Sequence, residues 1–151
     1  MPQSLSRVIV HIIFSTKRRF PFLANTDIRK EMHAYLGGTC NALGSPVIIV
    51  GGTADHVHIL CALSRNTAIS DLVGELKRSS SKWVKPKDGL LKKFSWQNGY
   101  GAFSIGQKEI DHASAYIENQ EEHHRVKTFQ EEFRSVLVEY GVEFDERYIW
   151  E

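Results

Sequence analysis

Apolar positions along the chain recur with two periods, and these divide it into strands and helices. Residues 7–16 (RVIVHIIFST) are rich in β-branched side chains, which predicts a buried strand that runs into the basic triplet Lys17-Arg18-Arg19. Over 26–43, Ile28, Met32, Tyr35 and Leu36 form an apolar stripe at helical spacing, with Thr26 placed to cap the helix. The Gly37-Gly38 pair inside that stripe is locally unfavourable, and close packing against a neighbour is one reason for it. Residues 47–50 and 56–62 predict two short strands joined through Gly51-Gly52-Thr53-Ala54-Asp55. Asn66 or Thr67 is placed to cap a second helix that carries Leu72, Val73, Leu76 and Trp83 and ends near residue 84. After the turn signal Pro86-Lys87-Asp88-Gly89, residues 94–105 read as aromatic strand material interrupted at Asn98-Gly99. Residues 107–124 predict a polar helix with Ile110, Ala113 and Ile117 on one side. An amphipathic segment with Phe129, Phe133, Val136 and Leu137 and the aromatic tail Tyr148-Ile149-Trp150 close the chain. The order β-α-β-β-α-β followed by extra helices predicts an α+β fold of the ferredoxin-like kind, an antiparallel sheet with helices on one face.

With 151 residues, 42% of them hydrophobic, a single domain over 1–151 with a core of its own is expected. No stretch approaches the ~18 apolar residues of a membrane span, and the N-terminus lacks the apolar run of a signal peptide. Two cysteines, Cys40 and Cys61, are too few for a disulfide framework, so a cytoplasmic setting with no membrane partner is expected. The net charge of +1 conceals a segregation. Residues 1–100 carry 14 Lys and Arg against 6 Asp and Glu, whereas residues 101–151 carry 5 against 12. Lys77, Arg78, Lys82, Lys85, Lys87, Lys92 and Lys93 crowd one stretch with Asp88 as its only acid. Two readings fit this pattern: a face that binds a polyanion, or basic helix ends that are merely solvated.

The hexapeptide His56-Val57-His58-Ile59-Leu60-Cys61 carries the most chemistry. On a strand, His56, His58 and Leu60 share one face while Val57, Ile59 and Cys61 share the other. Two imidazoles side by side reach one divalent cation, or else are half-exposed histidines on an open sheet. Other His-x-His chemistries lack their further residues: Leu60 stands where a third histidine would complete a histidine triad, and Ala62 and Leu63 stand where a cupin glutamate would fall. There is no GxxxxGK[ST] phosphate loop, CxxC pair or GxSxG elbow, which removes support for nucleotide-driven, zinc-ribbon and serine-hydrolase readings. Tyr116 and Gln120, four apart, fall on one helical face and offer a phenol nucleophile beside a neutral oxygen ligand; a core tyrosine beside a surface glutamine has the same spacing.

Taken together these pieces resemble the single-tyrosine HUH transposases of bacterial insertion sequences and of their relatives associated with repetitive extragenic palindromes. The matching segments are Phe14-Ser15-Thr16-Lys17-Arg18-Arg19, Gly51-Gly52 with Asp55-His56-Val57-His58-Ile59-Leu60, and Gly99-Tyr100-Gly101-Ala102-Phe103-Ser104. Tyr116-Ile117-Glu118-Asn119-Gln120, the following Glu121-Glu122-His123-His124-Arg125 and the closing Arg147-Tyr148-Ile149-Trp150 complete the set. The resemblance implies Mg²⁺ or Mn²⁺ on His56, His58 and Gln120, and a helix after the sheet whose Tyr116 attacks single-stranded DNA at hairpin-marked ends to leave a 5′-phosphotyrosine and a free 3′-hydroxyl. It also implies a homodimer, with Tyr116 supplied to the partner's histidines, and no nucleotide cofactor. It favours DNA contact for Lys17, Arg18, Arg19, Lys77, Arg78 and Lys82. Trp83, Trp96, Tyr100 and Phe103 are candidate stacking partners, though aromatics in such positions are more often core, and Cys40 and Cys61 are assigned to packing. Alternatives are a domesticated relative that processes palindromes, a hairpin-binding protein without catalysis, and a metal-dependent hydrolase that uses water as nucleophile.

Overall fold

The central strand β1 (Ile9–Ser15) is buried along its whole length, because both faces of the sheet are covered. The computed structural model describes residues 2–150. Strands β2 (Val47–Gly52), β3 (His56–Ala62) and β4 (Gly101–Ile105) join β1 in the order β2-β3-β1-β4. All pairings are antiparallel, and the order is that of the expected βαββαβ arrangement. Helices α1 (Thr26–Ala42) and α2 (Ile69–Val84) lie on the face that carries Val10, Ile12, Phe14, Val57, Ile59 and Cys61. Met32, Leu36 and Cys40 of α1 and Leu72, Leu76 and Val84 of α2 complete this main core. The caps differ from expectation. Asn25 rather than Thr26 accepts from the Ile28 amide, and α2 begins after Ala68 without a side-chain cap.

The second face of the sheet is the one that bears the histidines, and it is not open. Helices α3 (Ile110–Glu118), α4 (Gln120–His123) and α5 (Phe129–Glu139) cover it. Ile117 and Ala113 of α3 pack on Ile9 and Leu60, while Phe129 and Leu137 of α5 pack on Ile13 and Phe103. The single helix expected over 107–124 is broken at Asn119 (φ −94°, ψ 23°), so Tyr116 and Gln120 belong to successive helices. Glycine permits the close approach of α3: a Cβ on Gly51 would lie 2.4 Å from the Ile117 carbonyl oxygen. The aromatic stretch before β4 is mostly not strand. Residues 90–93 form a 3₁₀ turn, and Trp96 makes one bridge to Thr16 and buries its ring against Phe14 and Phe94.

Candidate active site at the covered histidine face

Register brings the first two pieces together. His56 and His58 point from β3 into the covered face, and β1 sets Ile13 opposite His58 and Leu60 opposite His11. His11 is therefore the diagonal neighbour of His58 on the same face, and its Nε2 lies 2.8 Å from His58 Nδ1. His56 is held from the loop before it: Nδ1 lies 2.8 Å from Asp55 Oδ1 and 3.0 Å from Thr53 Oγ1. Both β3 histidines are fully buried, contrary to the half-exposed reading. Burial pushes His58 down to about 4 and His11 down to about 3, so both rings are neutral at neutral pH.

Glu132, from α5, is the centre of the cluster. Its Oε1 is 3.0 Å from His58 Nε2, 3.2 Å from His124 Nε2 and 3.7 Å from His56 Nε2. Its Oε2 accepts from the Tyr116 hydroxyl and from Gln120 Nε2 at 3.1 Å. Burial disfavours the carboxylate's charge, yet the neighbouring His124 and His58 rings and the Tyr116 hydroxyl outweigh it and hold Glu132 well below the usual carboxylate range. Burial, and next the bond to Glu132, push the Tyr116 hydroxyl well above its ordinary value, so at rest it is a neutral phenol.

The Gln120 amide donates to Glu132, which turns its Oε1 toward His56 Nε2 at 3.0 Å. In the tautomer in which His56 Nδ1–H donates to Asp55, Nε2 keeps a lone pair and faces the Gln120 carbonyl oxygen, a gap that a cation would fill. Imidazole nitrogens and carboxylate and amide oxygens suit a divalent ion such as Mn²⁺. Donor separations of 3.0 Å are the edge of an octahedron with bonds of about 2.1 Å. The ligand atoms of His56, His58 and Glu132 all lie within 4.8 Å of one another. The donor set fits the implied metal.

Residues 4–120 match the model of a transposase family described as IS200-like. The chain belongs to the IS200-like transposase family. A candidate transposase from Deinococcus radiodurans R1 is similar in structure, with a TM-score of 0.63 and 22% identity over 78% of this chain and 93% of that one. A REP-associated tyrosine transposase solved with a REP hairpin matches with a TM-score of 0.55 and 15% identity, over 76% of this chain and 67% of its own. At these identities the likeness is one of fold. No curated protein matches the chain.

Within this IS200-like transposase, His56, His58, Tyr116 and Gln120 converge in one chain, because α3 docks on its own sheet. The predicted basic residues separate. Lys17, Arg18, Lys82 and Arg78 are exposed, Arg19 is half-buried, and Arg78 pairs with Glu75 on its own helix. Lys77 is turned inward: its Nζ donates to the carbonyls of Gln97 and Gly99 and lies 5.2 Å from the Phe14 ring centroid, and burial pushes it down to about 8. Its ammonium is committed to the loop before β4 rather than to solvent. Of the stacking candidates, Trp96 and Phe103 are core, Trp83 stacks on Tyr35, and Tyr100 is exposed. Cys40 and Cys61 are buried neighbours in the main core, as assigned.

Sequence reading missed Glu132, His11, Asp55 and Thr53. Asp55 and Thr53 carried a signal, since a carboxylate or hydroxyl beside a metal-binding histidine fixes its tautomer. Glu132 carried none, being one of several acids on an amphipathic helix.

Proposed function

We propose that the chain, acting as one HUH-type domain, cleaves and rejoins single-stranded DNA at hairpin-marked ends through Tyr116, with Mg²⁺ or Mn²⁺ held by His56, His58, Gln120 and Glu132. One observation carries this reading: the Tyr116 phenol is hydrogen-bonded to the carboxylate that also meets the histidines. The hairpin held by the REP-associated structural relative supports the choice of substrate.

Tyr116 Oη attacks the phosphorus, a new O–P bond forms, and the scissile P–O3′ bond breaks. The products are a 5′-phosphotyrosine and a 3′-hydroxyl. The phenol's proton must leave Oη as the O–P bond forms and must reach the departing 3′ oxygen for a 3′-hydroxyl to result; Glu132 Oε2, already the phenol's hydrogen-bond acceptor, would relay it. Asp55 and Thr53 fix His56, and His11 fixes His58, so the cluster is rigid before substrate arrives. The divalent ion, when bound, polarises the scissile phosphate and offsets the charge that develops on it. Exchange of one phosphodiester for another roughly conserves bond energy, so no nucleotide cofactor is needed, and a free 3′-hydroxyl rejoins by the reverse attack. Lys17, Arg18, Arg19, Arg78 and Lys82 are the phosphate contacts, while the Lys77 ammonium is held by the carbonyls of Gln97 and Gly99. The acting species is a homodimer in which each copy carries a complete site.

The test is incubation with the single-stranded DNA that flanks the gene, plus Mn²⁺, followed by denaturing electrophoresis. A covalent protein–DNA adduct is expected. Tyr116→Phe should bind DNA as before and form no adduct; an adduct formed by that variant would falsify the assignment.

A further inference from the structure

The loop after β1 holds a second feature that the cleavage site does not use. Arg18 and Arg19 both adopt φ of 56°, a left-handed conformation that arginine seldom takes. Arg18 lines a cavity of about 280 Å³ together with Lys17, Phe20, Phe22, Leu90 and Lys93. Phe20 is 45% exposed although apolar, and its ring lies 4.6 Å from that of Phe22, which in turn packs on buried Phe94. Three cations and no carboxylate border the cavity, and none of the three is ion-paired among the described residues. The loop is tied to the segment that precedes His56: the Thr16 amide donates to the Asp55 carbonyl at 2.8 Å and the Leu23 amide to the Ala54 carbonyl at 2.9 Å. Asp55 is also the residue that holds His56 Nδ1.

We infer that this cavity is a nucleobase pocket, in which an unpaired base of the bound single strand stacks on Phe20 while Lys17, Arg18 and Lys93 hold the phosphates on either side. The inference rests on the reading of the chain as a single-strand DNA transposase and adds the place where a base outside the cleavage centre is gripped. Size agrees, since about 150 Å³ suffices to admit a benzene ring. An exposed aromatic ring flanked by cations is the arrangement by which single strands are bound without pairing. The backbone bonds to residues 54 and 55 join the loop that carries Phe20 to the segment that supports His56.

The experiment compares binding of labelled oligothymidylate with that of an abasic strand of equal length, by fluorescence anisotropy, using the full chain. The wild type should prefer the strand with bases by about tenfold or more, as base stacking on an aromatic ring provides. Phe20→Ala should lower that preference by about tenfold, and Phe20→Trp should keep it. Lys93→Gln should weaken both strands alike. An unchanged preference in Phe20→Ala overturns the pocket. Adduct formation by Tyr116 on flanking DNA, measured with the same preparations, separates the two readings. Adduct with unchanged preference sinks the pocket alone, whereas no adduct and no binding of either strand sinks the proposed function with it.

Discussion

Replacing Gly51 with alanine tests whether the contact between β2 and α3 sets the position of Tyr116. The new Cβ would lie 2.4 Å from the Ile117 carbonyl oxygen and 2.8 Å from Ile117 Cγ2, whereas ordinary contact begins at 3.4 Å. The first obstacle is backbone, so a rotamer change cannot relieve it, and α3 must retreat by about 1 Å to regain contact distance. Tyr116 immediately precedes Ile117 and moves with it, which disturbs its hydrogen bond to Glu132. A displacement of that size costs about a hundredfold in rate at an oriented reaction centre. Overpacking of this kind costs about 1–3 kcal/mol, more than the roughly 0.4–1 kcal/mol that alanine recovers by restricting the unfolded chain. Urea denaturation and the rate of adduct formation are the two assays. Gly38→Ala is the control, because a Cβ there meets nothing within 4 Å; in the middle of α1 it should leave activity intact and raise stability slightly. A Gly51→Ala protein with wild-type midpoint and wild-type adduct rate would refute the claim that this glycine positions the nucleophile.

The metal assignment predicts that Mn²⁺ at about a hundred times its dissociation constant stabilises the fold by about 2.7 kcal/mol, and that His56→Ala with His58→Ala abolishes both this shift and the calorimetric heat. Equal titrations in wild type and the double variant would remove the site. Lys77→Met should lower stability by about 1 kcal/mol or more through loss of its bonds to the Gln97 and Gly99 carbonyls, while Lys82→Gln leaves stability within about 0.5 kcal/mol and weakens DNA binding. The reverse pattern in urea melts and salt titrations would return Lys77 to the DNA-contacting set. Because Tyr116 and His58 meet within one chain, co-expressed Tyr116→Phe and His58→Ala subunits should restore no activity; recovery of about half the wild-type rate would show that the tyrosine is exchanged between copies.

The local periodicities of this chain are strong enough to be read without a structure. β-branched runs and the two amphipathic stripes determined β1, β3, α1 and α2, and strand alternation alone put His56 and His58 on a face opposite Val57, Ile59 and Cys61. The α3 stripe of Ala113 and Ile117 was equally visible, as was the amphipathic α5. What lay beyond the sequence is everything set by contact between segments remote in the chain. The break at Asn119, the burial of the histidines and the inward turn of Lys77 follow from how α3 to α5 and the loop before β4 dock. Docking depends on shape at positions such as Gly51 rather than on any local period. Glu132 is the clearest case. By spacing it is one more acid on an amphipathic helix, and it becomes the hub of the cluster only because α5 packs on the histidine face of the sheet. In water an acid on α5 and a histidine on β3 have no reason to meet, and only the packing of Phe129 and Leu137 on Ile13 and Phe103 brings them within 3.0 Å.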